Sequence, residues 1–225
     1  MKLAEQLGYT DVQLLKHSNS FETTGRNPDK VVGYAAVLFK EAKEMDSNQR
    51  TALLNLARDT IVNKIRYGSF QARVEPKDPV FARPQGVFVT ITVDEKLHGC
   101  IGYIESPNSL YQNVQECALK AATADPRFLP LTEDELDRMH LEISVLGPVQ
   151  PLRSIKDIVI GKTGLIMQSS KGRGLLLPQV ATEQKWNVRQ LLEGLCQKAG
   201  LAAGAWQDPS IKLESFTAEV FGEAD

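Results

Sequence analysis

What the chain has little of narrows its class first. Three cysteines occur in 225 residues, Cys100, Cys117 and Cys196, with no C-x-x-C pair among them. Neither a disulfide framework nor a thiolate zinc site is indicated, and the three read as free thiols in a reducing compartment. No apolar run approaches the ~20 residues that cross a bilayer, and the opening Met1-Lys2-Leu3-Ala4-Glu5-Gln6 is too polar for a signal peptide. A cytoplasmic protein is expected. Neither sign of charge dominates: the formal net charge of −2 gives no global field to draw in nucleic acid or an anionic membrane. Nucleotide-phosphate fingerprints are missing as well. Gly161-Lys162-Thr163 lacks the glycine five residues upstream, where Lys156 stands, and nothing after Gly172-x-Gly174 completes a dinucleotide motif.

What is present is core material. A hydrophobic share of 42% suffices for one large domain or two small ones. Residues 2–7 read as a short helix ended by Gly8, Val12 to His17 as an extended stretch, and Val31 to Phe39 as an apolar strand. The loop between the two strands, Ser18 to Lys30, is crowded with turn formers such as Gly25, Asn27, Pro28 and Asp29. Two strands so joined cannot bury their faces alone. Residues 1–44 are therefore expected to add little to the stability of the rest of the chain, and their deletion should leave the cooperative thermal melt nearly unchanged. A loss of several degrees would instead place Val31 to Phe39 in the core. The charged run Lys40-Glu41-Ala42-Lys43-Glu44 reads as a linker.

From residue 45 onward helices and strands alternate. Ser47 opens a helix with Leu53, Leu54, Ala57, Ile61 and Ile65 on one stripe and Gly68 past its end. Gly86 opens the alternating strand Val87 to Val93, and Asp94-Glu95-Lys96 turns the chain into a second strand, Leu97 to Ile104. A helix after Pro107 carries Leu110, Val114, Cys117, Ala118 and Ala121 and ends near Asp125-Pro126. Thr132 and Glu135 form a capping-box pair for a short helix. His140 to Leu146 alternates strictly, with His140, Glu142 and Ser144 on its polar face, too far apart for a hydrogen-bonded relay without help from elsewhere. Pro148 and Pro151 bracket a subdomain junction near 148–152. Beyond it come a hairpin of Gly164 to Gln168 and Gly174 to Pro178, a helix capped by Thr182 and closed by Gly200, and a last strand, Ile211 to Phe221. Cys117 and Cys196 sit on or beside apolar helix faces and read as packing. The class is α+β, with mixed or antiparallel sheets flanked by helices.

The candidate site is Leu97-His98-Gly99-Cys100-Ile101-Gly102. Two glycines flanking a thiol in a strand give up packing and backbone entropy, so something must approach the backbone closely there. A bulge or tight bend beside a buried cysteine is the structural alternative. In an unbulged strand His98 and Cys100 share a face, and a histidine beside a thiol generates the nucleophilic thiolate. Cys100, His98 and Arg127 are the candidate catalytic residues. Gly99, Gly102 and Asp125 are the candidate ligand-binding residues. No metal ligands are assigned, and no cofactor is identified.

Two resemblances add to this. The segment HSNSFETTGRNPDKVVGYAAVLF, residues 17–39, resembles the C-terminal end of a Memo-family domain, whose metal-binding part lies upstream of that end, so the resemblance implies no metal site in this segment. Residues 47–225 resemble the AMMECR family through LHGCIGYIE, ADPRFLPLTEDEL, LEISVLGPVQPL, IGKTGLIM, GRGLLLPQVATEQKW and LCQKAGL. That resemblance implies an α+β fold of two subdomains meeting at a cleft, and His98 stands where the family's hexapeptide commonly has arginine, a residue whose charge is permanent. It also implies association with a Memo-like protein and a radical S-adenosylmethionine enzyme. Two function classes are then open: a module that presents the cleft to a ligand or partner, or an enzyme component using Cys100 as nucleophile or redox thiol.

Overall fold

The computed structural model describes residues 9–19, 33–41, 44–69 and 75–223. The chain divides into two compact units, Met1–Glu44 and Met45–Asp225. In the first, strands β1 (Tyr9–Asn19) and β2 (Gly33–Glu41) pair antiparallel, with Leu14 opposite Val37 and His17 opposite Ala35. Lys40 and Glu41, expected in a linker, close β2 instead. The helix expected over 2–7 and most of the polar loop lie outside the described residues.

The second unit opens with α1 (Ser47–Tyr67). Its cap is Asp46 rather than Ser47: the Asp46 carboxylate accepts the Gln49 N–H and the Gln49 amide oxygen accepts the Asp46 N–H, both at 2.9 Å. This reciprocal box is worth about 1 kcal/mol. Gly68 ends the helix at φ 71°, a left-handed conformation that favours glycine. Strands β3 (Val87–Val93) and β4 (Lys96–Tyr103) form a hairpin across Asp94 and Glu95, both at positive φ (49° and 64°), the twist a two-residue hairpin turn requires. Next come α2 (Leu110–Thr123), a 3-10 turn Glu133–Arg138, and β5 (Met139–Leu146). Along β3 the odd residues Val87, Val89, Ile91 and Val93 are buried. They form one core with Leu53, Ala57 and Ile61 of α1 and Val114, Cys117 and Ala121 of α2. The even residues Phe88, Thr90 and Thr92 therefore look out of the opposite face.

A second sheet holds β6 (Gln150–Pro151), β7 (Gly164–Gln168), β8 (Arg173–Leu176) and β9 (Lys212–Phe216), and is covered by α3 (Pro178–Glu183) and α4 (Val188–Lys198). Leu165 and Met167 pack there with Leu191, Leu195 and Cys196. The chain then returns to the first sheet as β10 (Ala218–Gly222), giving strand orders β10-β5-β3-β4 and β6-β9-β7-β8. All pairings are antiparallel. The single last strand expected over 211–221 is thus two strands in two sheets, broken at Thr217, whose carbonyl accepts the Gly147 N–H at 2.7 Å. The two crossings between sheets are pinned to each other there. Two further corrections concern the helices: Pro178 starts α3 instead of ending a strand, so Thr182 lies inside α3, and α4 is capped by Asn187. Between the sheets Leu146, Ile166, Leu177 and Phe216 form a small core against Phe88, Leu175 and Val180. Among the described residues no helix is long and apolar enough to cross a membrane.

Candidate functional site

The register of the first sheet sets the site. Thr90 pairs with Cys100 on one side and with Glu142 on the other, so thiol, hydroxyl and carboxyl lie in one row across β4, β3 and β5. At sheet spacing the ends of the row are about 10 Å apart. The next row is Gly102, Phe88 and Ser144. The face they share is the one turned away from α1 and α2, and the second sheet with α3 stands over it. The result is a cleft of about 410 Å³, floored by Cys100, Thr90 and Glu142 and walled by Phe88, Leu175 and Gln179 among others. The Thr90 hydroxyl donates to Cys100 Sγ at 3.2 Å. From the α3 side Gln179 Nε2 donates to Glu142 Oε1 at 3.0 Å and to Ser144 Oγ at 2.9 Å. Gln179 is thus the outside help that the Glu142 and Ser144 row needs, whereas His140 is solvent-exposed and stays out of it.

β4 is an edge strand, and edge strands leave backbone groups without a ladder partner. At Cys100 both groups are taken up by the segment after α2. The Cys100 N–H donates to Asp125 Oδ2 at 2.9 Å, and Arg127 Nη2 donates to the Cys100 carbonyl at 3.1 Å. The buried Asp125 carboxylate also accepts the Arg127 backbone N–H at 3.1 Å, Nε at 3.0 Å and Nη2 at 2.7 Å. The guanidinium beside it holds the Asp125 carboxyl well below the usual carboxylate range. Arg127 also lies over the Phe128 ring, 5.2 Å from its centre. Asp125 and Arg127 therefore hold the strand at Cys100: both Asp125 oxygens are taken up by backbone and guanidinium N–H groups, and Arg127 does this through Nε and Nη2.

The thiol itself is not activated. Burial pushes its pKa up, and this outweighs the lowering by the Thr90 hydrogen bond and the Arg127 charge, while Asp125 and Glu142 push it further up. At neutral pH it is S–H. His98 does not help, because β4 is bulged. Ile91 faces Gly99 and Thr92 faces Leu97, which leaves His98 as the extra residue and breaks the alternation that would put it beside Cys100. Its Nε2 lies 3.3 Å from Glu135 Oε1, its ring stacks on Phe128 at 6.2 Å, and its Nδ1 is buried without a partner.

The candidate ligand-binding glycines admit the chain's own atoms. A Cβ on Gly99 would stand 2.1 Å from the Ala121 carbonyl oxygen of α2, on the core side of the sheet. One on Gly102 would stand 2.3 Å from Phe88 Cγ and 2.4 Å from the Val87 carbonyl oxygen. Asp125, the third such candidate, is spent on backbone and Arg127. Cys117 and Cys196 are fully buried, and burial pushes the Cys117 thiol up to about 12. Thr90, Glu142 and Gln179 are the cleft residues that motif reading passed over or set aside. Thr90 was accessible from the alternation of β3, and Gln179 from Pro178, a residue favoured in the first turn of a helix. Among the described residues no three His, Cys, Asp or Glu side chains gather as a metal site would need.

Residues 54–221 match the model of the AMMECR1 family. The chain belongs to the AMMECR1 family. Protein TV1384 of Thermoplasma volcanium is 38% identical over 193 residues, 80% of this chain and 96% of that one. A protein of Methanothermobacter thermautotrophicus is 40% identical over 186 residues, again 80% and 96%. The crystal structure of Uncharacterized Protein PH0010 from Pyrococcus horikoshii matches with a TM-score of 0.73 at 34% identity, over 76% of this chain and 90% of that one. This AMMECR1 chain therefore shares its α+β architecture with a solved relative. Its residues 1–44 precede the matched region.

Proposed function

We propose that this AMMECR1 chain is a cytoplasmic ligand-binding module whose cleft, floored by the Cys100, Thr90 and Glu142 row, takes a small molecule, and that it works with a Memo-like protein and a radical S-adenosylmethionine enzyme. One observation carries the choice of binding over thiol catalysis: Cys100 lies in a formed cleft where burial disfavours the thiolate, with no base beside its sulfur among the described residues, and is held in place through its backbone. A nucleophilic cysteine needs an electropositive setting or an adjacent base, and Arg127, whose charge bears on Cys100, is paired with Asp125. The partner reading rests on the Memo-like segment at residues 17–39.

Alkylation resolved by cysteine tests the first part. Iodoacetamide at pH 7 should label Cys100 more slowly than a free thiol in solution, and Cys117 and Cys196 not at all until the protein unfolds. Labelling of Cys100 faster than glutathione under the same conditions would reverse the choice in favour of the enzyme. For the partner reading, the full chain should co-elute with a purified Memo-like protein from an organism that encodes both, and separate elution at micromolar concentration would remove that reading.

A further inference from the structure

The cleft floor has an uneven supply of hydrogen-bonding groups. Both N–H bonds of the Gln179 amide are used, on Glu142 and Ser144, while its Oε1 is buried with no partner. The Thr90 hydroxyl proton is used on Cys100 Sγ. Glu142 accepts the bond from Gln179 and, among the described residues, no cation pairs with it. A carboxylate offers about four acceptor sites, so most of its capacity is unfilled. Of the two cations in the same wall, Arg127 is bound to Asp125, and Lys198 is the other. What remains open at Glu142 and Gln179 is therefore acceptor, and one of these acceptors is a carboxyl that no cation pairs with among the described residues. Burial pushes the Glu142 carboxyl up against the lowering by the Gln179 hydrogen bond, and the charge of Glu183, which also lines the cleft, adds to the rise, so the ionised form lacks support until a cation is bound. The other walls, Phe88 and Leu175 to Leu177, are apolar.

A buried acceptor without a donor, and a carboxylate without a counter-charge, are costly in a protein interior unless something fills them. The complement is a group with several N–H donors and a positive charge on an apolar body. We infer that the ligand of the cleft is an organic cation of this kind, an ammonium or amidinium compound, with Glu142 as its counter-charge and Gln179 Oε1 as a second acceptor. This rests on the ligand-binding function proposed above and narrows its ligand class. Gln179 is a positioning residue for Glu142, since its amide holds the carboxylate toward Ser144. Arg127 and Lys198, also in the wall, would favour an anion instead, so the charge of the ligand tells which of the lining groups it answers.

Three probes with one ring and three charges decide it: benzylammonium, benzyl alcohol and benzoate, each at about millimolar levels, the range expected for fragments of this size. The readout is protection of Cys100 in the full chain against iodoacetamide at mildly alkaline pH. Benzylammonium should protect best and benzoate least. In Glu142→Gln, which can still accept from Gln179, the preference for benzylammonium over benzyl alcohol should fall at least about tenfold, the loss of a charge-assisted bond. The wild-type comparison stands without the variant. Equal protection by all three probes would overturn the cation class and leave the cleft a binding site, and strongest protection by benzoate would overturn it in favour of an anion answering Arg127 or Lys198. Unchanged labelling with every probe would remove both the cation class and the binding function on which it rests.

Discussion

Asp125→Ala is expected to lower the stability of the fold by about 3 kcal/mol at neutral pH, or roughly 6–12 °C in melting temperature for a chain of this size. The Asp125 carboxylate is 2% exposed and accepts from four N–H donors, two of them backbone groups at Cys100 and Arg127. Removing it leaves the edge of β4 unpartnered where the sheet has no further strand to supply acceptors. Breaking a fully buried pair costs 3–5 kcal/mol, but the Arg127 side chain is 45% exposed and stays hydrated when its partner goes, so the lower end applies. Asp125→Asn should cost less, near 2 kcal/mol, since one oxygen still accepts while its NH₂ meets donors. The pH dependence is set by the sign of the shift. The carboxyl is depressed in the folded chain, so its contribution is present above the unfolded value near 4 and fades as pH falls toward the folded value. The stability gap between wild type and Asp125→Asn, measured by urea unfolding, should therefore narrow between pH 5 and pH 2. A gap that stayed constant would mean the carboxylate charge contributes nothing. Cys100 should also label faster in Asp125→Ala, because its strand loses one of its two outer clamps.

The elements that sequence reading located well are those whose signals are local. The alternation of Val87 to Val93, the helical stripe from Leu53 to Ile65 and the glycine stop at Gly68 need nothing beyond their own neighbours. The site's geometry is not of that kind. That Cys100, Thr90 and Glu142 form a row depends on the registers β3 makes with two partners, and register is not written within one strand. The bulge at His98 is likewise a mismatch in count between β4 and β3, so period-two alternation placed the imidazole on the wrong side. Thr217 hid the break between β9 and β10 because the apolar pattern runs on through it, while its carbonyl ties to Gly147 of a distant segment. Asp125-Pro126-Arg127 holds a candidate ligand-binding residue, Asp125, and a candidate catalytic residue, Arg127. Its work is done on the strand's backbone, a role visible only once β4 is known to be an edge.

Gly99→Ala is the substitution with the most direct geometric consequence. The two glycines of the hexapeptide signalled a close approach, and at Gly99 the approaching atom is the Ala121 carbonyl oxygen, 2.1 Å from where a methyl carbon would sit, with the Ala121 carbonyl carbon at 3.0 Å. Both are helix backbone, which cannot rotate aside as the end of a flexible side chain can. The obstacle is also not torsional, since φ at Gly99 is not positive, so the cost is that of overpacking. To relieve it, β4 and α2 must separate by about 1 Å, through a core that includes Ile91, Val114 and Ala121. Interiors at crystal-like density do not give that distance without losing contacts elsewhere. The expected loss is about 3 kcal/mol or more, read as a fall in melting temperature near 10 °C. Gly102→Ala should cost less than that if the Phe88 ring can turn, but the Val87 carbonyl at 2.4 Å keeps it from being neutral. Gly33→Ala, where no atom lies within 4 Å of the new methyl, serves as the control and should leave the melt unchanged. A Gly99→Ala protein that melts like wild type and loses only ligand protection of Cys100 would show instead that helix and strand can part freely there, and the hexapeptide glycine would then belong to the ligand and not to the fold.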